Sequence, residues 1–304
     1  MKSLERYGYD MRIAVVDIGG TSIKSGIWED DRITDIRETD TNAKLGGAHV
    51  METVTGILKG YQNFQAVGIS TAGQVDSGEG TILYANENIP GYTGTRIREI
   101  IEKEFSVPVA VENDVNSAAI GEGYYGAGKG HKDFLCLTYG TGVGGAIVMD
   151  GRIYSGAGYS AGEFGAIVTH PDARRPKEDI FSGCYERYAS TTALVQLVKR
   201  EYPEIKNGRE IFARLDEPGI QIPVEQWIGE IVFGLTTLVH IFNPALIILG
   251  GGIMEQSYVI DRVRTRLKAE IMSSFANVEI LQAELGNKAG MLGVAREALR
   301  VYHE

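Results

Sequence analysis

The chain alternates short unbroken apolar runs with longer stretches whose apolar residues recur at helical spacing. Arg12–Ile18 (RIAVVDI) is an apolar run that carries Asp17 and leads into Gly19-Gly20; it predicts a buried strand entering a turn. Ile23–Trp28 predicts the returning strand and Arg32–Glu38 a third. Val50–Tyr61 has a helical pattern, and Ala66–Ser70 (AVGIS) predicts another buried strand. In Thr95–Phe105 the residues Ile97, Ile100, Ile101 and Phe105 fall on one stripe of an amphipathic helix. Pro108–Glu112 predicts a strand. Asp114 then stands where the next helix begins, a position that favours a carboxylate.

The order restarts after about Gly130. Asp133–Tyr139 and Gly145–Met149 predict paired strands around a glycine turn. Tyr185–Arg200 and Val224–Phe242 predict long helices. Ala245–Leu249 predicts a buried strand closed by Gly250-Gly251-Gly252, followed by a helix over Tyr258–Ile271, a strand over Asn277–Leu281 and a last helix over Ala289–Tyr302. Each half thus offers strand–turn–strand and then alternating helices and strands, a duplication of architecture without a short sequence repeat. No Pro/Ser-rich linker separates the halves, which predicts two domains in close contact across a cleft.

Composition sharpens this picture. Glycine accounts for 39 of 304 residues, and fourteen of these lie between Gly121 and Gly165. Such a concentration fits backbone brought close to a ligand, or tight strand connections; composition alone does not separate the two. Lys plus Arg number 30 against 40 Asp plus Glu, a net charge of −10. With no basic run, nucleic-acid binding is not expected. Two cysteines, Cys136 and Cys184, cannot form a disulfide scaffold and suggest a reducing compartment. No apolar stretch is long enough to span a membrane, and Met1–Asp10 lacks the apolar core of a signal peptide. A soluble cytoplasmic protein with no membrane partner is the expectation.

Two familiar glycine signatures are discounted. Gly123–Gly130 (GYYGAGKG) approaches a phosphate loop, but Gly130 replaces the hydroxyl residue and a helix precedes it. Gly140–Gly145 (GTGVGG) has dinucleotide-loop spacing, yet the following AIVMDGRIY reads as a strand where that motif needs a helix. Three turns remain: Asp17–Lys24 (DIGGTSIK), Gly140–Gly145 and Gly250–Gly252. Each alone is ordinary hairpin chemistry. Together with the strand-ending Asp17 and Asp114 they favour backbone N–H groups presented to the phosphates of a nucleotide.

These segments, with ENDVNSAAIGE, TYGTGVGGAIVMDGRIYSG, AGEFG and NPALIILGGG, resemble the ROK family (repressor, open reading frame, kinase) from about Met11 to Glu304. The resemblance implies the actin-like ATPase (ribonuclease H-like) fold, two α/β domains around an interdomain cleft. Residues 11–120 with the C-terminal helix 290–304 would form the smaller domain and 121–289 the larger. It implies an ATP-dependent sugar kinase using Mg²⁺, with a small-molecule sugar as partner and a homodimer as the assembly. Asp114 matches the family's catalytic base. A carboxylate at a helix N-terminus is expected to have its ionised form favoured, ready to accept the proton of an attacking hydroxyl. Asn113, Gly73, Asn88, Glu163 and Glu186 match positions that line or bind the sugar. Gly19, Gly20, Thr21 and Lys24 match the first phosphate loop, and Asp17 the carboxylate near the magnesium. Thr141 and Gly142 match the second phosphate loop, and Gly250, Gly251 and Gly252 the adenosine segment. Asn287 stands where the family commonly carries Asp, which puts a charge contact there in doubt.

The chain departs most from the family at its zinc motif. Many members carry a histidine just after the E-x-G of the sugar loop; here Glu163-Phe164-Gly165 is followed by Ala166. The downstream cysteine cluster is reduced to Cys184. With His170 that makes two ligands, too few for a four-coordinate site, so zinc is not expected. Phe181 with Arg174 or Arg175 is the expected apolar or ion-paired replacement that orders the loop. His240 is expected as a satisfied core histidine and Cys136 as an inert buried thiol.

The phosphoryl acceptor is expected to be the C6 hydroxyl of glucose or of a related hexose or β-glucoside. N-acetylmannosamine is the alternative acceptor, and a non-catalytic sugar sensor or regulator the alternative class. Family repressors carry a helix-turn-helix before the first strand; about eleven residues stand there in this sequence, and the chain is acidic.

Overall fold

The structure, a computed structural model, describes residues 11–304; Met1–Asp10, and with them the expectation about a signal peptide, lie outside the described residues. Strand β1 (Ile13–Ile18) is buried at every position but Asp17, as an unbroken apolar run requires when both faces of its sheet are covered. The chain returns antiparallel as β2 (Ser22–Glu29) and again as β3 (Arg32–Asp40). After helix α1 (Gly47–Lys59), β4 (Ala66–Thr71) pairs parallel with β1. A separate hairpin, β5 (Gln74–Asp76) and β6 (Thr81–Tyr84), precedes α2 (Ile97–Phe105). β7 (Val109–Asn113) pairs parallel with β4 and runs straight into α3 (Asp114–Tyr125). The sheet order is β3-β2-β1-β4-β7.

The second half repeats this arrangement. β8 (Phe134–Tyr139), β9 (Val143–Met149) and the short β10 (Arg152–Ile153) are antiparallel neighbours. Helices α4 (Glu186–Ala189), α5 (Thr191–Lys199), α6 (Gly208–Phe212) and α7 (Pro218–Phe242) follow. β11 (Leu246–Gly250) pairs parallel with β8, and after α8 (Ser257–Glu270), β12 (Glu279–Gln282) pairs parallel with β11. The order β10-β9-β8-β11-β12 matches the first sheet strand for strand.

The last helix, α9 (Ala289–His303), returns to the first sheet. The chain thus divides into two units. One holds the described residues through Tyr125, Ser155–Ser160 and Asn287–Glu304; the other holds Gly126–Tyr154 and Ala161–Gly286. Each has its own apolar core, one including Val16, Ile69 and Val111, the other Leu137, Trp227 and Ile247. In the first unit α9 lies on α3 and on β4 at a spacing only glycine allows. A Cβ on Gly121 would strike the Ala289 carbonyl, one on Gly293 the Ser117 carbonyl, and one on Gly68 the Val294 carbonyl at 2.5 Å. Part of the glycine excess in the Gly121–Gly130 stretch therefore serves helix packing.

Two predicted helices differ. Tyr185–Arg200 is broken at Ser190, whose backbone is extended and whose hydroxyl caps α5 by accepting from Ala193 N–H at 3.2 Å. α7 begins six residues before Val224. Pro218 occupies its first turn, where no N–H is needed, and Pro223 is accommodated inside the helix.

Candidate active site

Candidate functional side chains gather at the carboxyl ends of the parallel strands, the edge where open α/β sheets bind ligands. In the first unit the strand register puts Asp17 of β1 beside Ser70 of β4, and Thr71 of β4 beside Asn113 of β7. Ser70 Oγ donates to Asp17 Oδ1 at 2.6 Å. Lys24 pairs opposite Asp17 across β1 and β2. Burial raises the Asp17 carboxyl above its usual value, while Ser70 and the Lys24 charge pull it back. Gly290, in the first turn of α9, brings the positive end of that helix up to Asp17 and Ser70.

Asp114 opens α3. Asn113 holds the turn: its Nδ2 donates to the Gly73 carbonyl and to Asp114 Oδ1, both at 2.9 Å, while its Oδ1 accepts from the N–H groups of Val115 and Asn116. Gly73 has a φ of 103°, a backbone conformation open to glycine, and this turns its carbonyl toward Asn113. The protonation of Asp114 corrects the expectation. Desolvation, then repulsion from Asp17, pushes its carboxyl up to about 6, outweighing the helix N–H and Asn113 contacts that lower it. The group still ionises below neutral pH, and its basicity suits a proton acceptor better than an ordinary aspartate would.

The first turn is fixed by Gly19 N–H donating to the Ser22 carbonyl at 3.1 Å and by Thr41, whose hydroxyl donates to the Gly19 carbonyl at 2.7 Å. Gly20 and Thr21 stand exposed at its tip. Asn88 is exposed in the loop after β6, its N–H donating to Asn86 Oδ1 at 3.1 Å; no hydrogen bond among the described residues ties it to the Asn113 cluster.

In the second unit Thr141 and Gly142 form the β8–β9 turn, with Gly140 N–H donating to the Gly142 carbonyl at 3.0 Å. Gly250 ends β11 beside Thr138 of β8, and Gly251 lies against the Tyr139 backbone so closely that a side chain has no room. Gly252 follows and starts a short 3-10 turn. These two glycine turns therefore share one sheet edge. Glu186, at the start of α4, lies across Gly142 and Gly165: its Oε2 is 2.6 Å from where a Gly142 Cβ would stand and 3.2 Å from that of Gly165. Burial raises its carboxyl; Arg187 and Val143 N–H lower it, and the nearby Glu163 charge raises it further. Glu163 is exposed and precedes the turn Phe164–Ala166.

Several contributors carry no motif of their own. Ser70 and Thr41 were missed because their partners lie 53 and 22 residues away. The loop before α4 is held by Arg174, whose Nη1 lies 2.7 Å from the Ile180 and Ser182 carbonyls and 3.2 Å from Cys184 Sγ. His170 stacks on Tyr188 at 3.7 Å and points Nε2 at Glu230, 3.6 Å away. Among the described residues no group of three or more His, Cys, Asp or Glu side chains is arranged to hold a metal ion. A magnesium ion carried on nucleotide phosphates fits the first unit's site, where burial raises the Asp17 carboxyl and burial with the Asp17 charge raises that of Asp114, so a nearby cation would favour the ionised form of both.

Comparison with known proteins defines the class. The ROK family profile matches residues 13–300, and the chain belongs to the ROK family. It is 33% identical to a β-glucoside kinase of Listeria innocua, over 96% of this chain and 97% of that protein. It is 32% identical to a glucokinase of Streptomyces coelicolor, over 92% and 95%. A ROK glucokinase from Streptomyces griseus, solved with glucose and AMPPNP, superposes with a TM-score of 0.81 at 30% identity, covering 95% of this chain and 99% of that one. The fold is the actin-like ATPase fold with mixed α/β sheets, and the relatives are sugar kinases.

Proposed function

We propose that the protein is an ATP-dependent hexose kinase that transfers the γ-phosphoryl group to the C6 hydroxyl of glucose or a related β-glucoside. The observation that carries this reading is Asp114: a recessed carboxylate at a helix start, aimed by Asn113 and raised to about 6. Phosphoryl transfer asks the protein mainly for positioning and for a place to put the acceptor proton. Asp114 accepts that proton. In this reading Asn113, Gly73 and Asn88 line the sugar, and Glu163 and Glu186 accept hydrogen bonds from its hydroxyls. Gly19, Gly20, Thr21 and Lys24, with Thr141 and Gly142, receive the phosphates through backbone N–H groups and one ammonium. Gly250, Gly251 and Gly252 lie along the adenosine. Magnesium, when bound with ATP near Asp17, supplies charge neutralisation on the transferring phosphate.

The relatives' named activities support the class, and both a glucokinase and a β-glucoside kinase stand among them. An ADP-release assay across glucose, a β-glucoside and N-acetylmannosamine, with ATP and magnesium, tests the reading. Turnover with glucose or the β-glucoside supports it. Turnover with N-acetylmannosamine alone moves the acceptor; none with any sugar leaves a sugar sensor as the better account.

A further inference from the structure

Residues 170–184 form an irregular loop that leads directly into Glu186, and its order has one centre. Three acceptors converge on a single nitrogen, Arg174 Nη1: the carbonyls of Ile180 and Ser182 and the thiol of Cys184. The stem of the arginine passes over Gly183, where a Cβ would stand 3.1 Å from Arg174 Cδ and where φ is 68°. Gly183 in turn takes the Thr169 and His170 N–H groups on its carbonyl. Beyond this knot the loop reaches Glu186 twice, along the chain from Cys184 and through Asp179. Asp179 grips Arg187 with two bonds of 2.9 and 3.0 Å, and the Arg187 guanidinium lies 4.0 Å from Glu186 Oε1.

We propose that Arg174 is a positioning residue for Glu186, a cationic cross-link that orders the sugar-side loop without a metal ion. A guanidinium suits the task because it stays charged, is weakly hydrated and can serve several acceptors at once. Because all three contacts fall on one nitrogen, a lysine ammonium with its three donors should replace much of the function, whereas an uncharged side chain should not. The kinetic part of the proposal rests on Glu186 binding sugar; the structural part does not.

The test pairs thiol labelling with kinetics on the full chain. Cys184 and Cys136 are both buried, so both should resist 5,5′-dithiobis(2-nitrobenzoate) in the native protein. In Arg174→Ala, Cys184 should label at least tenfold faster while Cys136 stays protected. The KM for glucose should rise at least tenfold, with kcat and the KM for ATP changed less than threefold. Arg174→Lys should restore most of both. Dialysis of the parent against a chelator, with magnesium then returned, should leave Cys184 protected. Unchanged Cys184 labelling in Arg174→Ala overturns the cross-link, as does exposure of Cys184 by chelation. Faster labelling with an unchanged sugar KM overturns the positioning role. If Arg174→Ala does not fold, Gly183→Ala, which displaces the arginine stem, should show the same labelling and KM shift, and its failure to do so counts against the proposal. A parent that phosphorylates no sugar sinks the kinase reading, while the labelling result still judges the cross-link.

Discussion

At the scale of single residues, the proposed function turns on Asp114. Its folded-state value of about 6 lies above the unfolded value near 3.9, so folding disfavours its ionised form. The stability linked to it is fully present below about pH 4 and is lost as pH rises through about 6. Asp114→Asn should therefore match the parent at pH 4 and exceed it at pH 7.5, by about 1–2 kcal/mol in urea unfolding once partial solvent access is allowed for. Catalysis should run the other way. In the parent, kcat/KM should fall about tenfold per pH unit below pH 6, because the base must be ionised in the free enzyme. A pH profile flat from 7 to 5 would contradict the assignment. Glu186→Gln should raise the sugar KM by about tenfold or more and leave the KM for ATP near the parent's, measured by initial rates. Asp114 was legible from its place after a buried strand and at a helix start. Its raised protonation was not, because that comes from burial and from Asp17, 97 residues earlier in the chain and brought near only by the sheet.

At the scale of elements, periodicity exposed nearly every strand of the two large sheets. The central strands β1, β4 and β11 are covered on both faces and read as unbroken apolar runs. The β5–β6 hairpin and α6 escaped because they are short, and their sequences lack a period long enough to count. Ser190 shows a different limit: one capping hydroxyl splits a continuous apolar pattern into two helices. The α3–α9 contact was hidden as well, since glycine chosen for close approach looks like glycine chosen for a turn. The two kinds separate by substitution. Gly293→Ala should destabilise the fold by about 1–3 kcal/mol, because the methyl meets the Ser117 carbonyl in a packed interface. Gly56→Ala, at an exposed position of α1 with open space around it, should stabilise by about 0.5–1 kcal/mol. Thermal or urea melts of the pair check both signs; equal effects would remove the packing argument.

At the scale of the whole molecule, the sequence predicted a duplicated architecture, and the two sheets share one strand order and one pattern of parallel and antiparallel pairing. Each presents glycine turns and carboxylates at the same edge, the carboxyl ends of its parallel strands. The duplication was legible because each half restarts with strand, glycine turn and strand. What closes the 170–184 loop was legible only as a choice among Phe181, Arg174 and Arg175, since Arg174 works through two backbone carbonyls and a thiol that sequence does not mark. The chain belongs to the ROK family and its named relatives include sugar kinases; the proposed function puts the chemistry at Asp114. No helix among the described residues is long and apolar enough to cross a membrane.

The most direct test is ADP release with glucose, ATP and magnesium, run on the parent and on Asp114→Ala side by side, with both proteins shown to be folded. The parent should turn over and the variant should lose activity by at least about a thousandfold, the combined worth of acid–base and positioning terms. Glucose-dependent ADP release retained in Asp114→Ala would contradict the account.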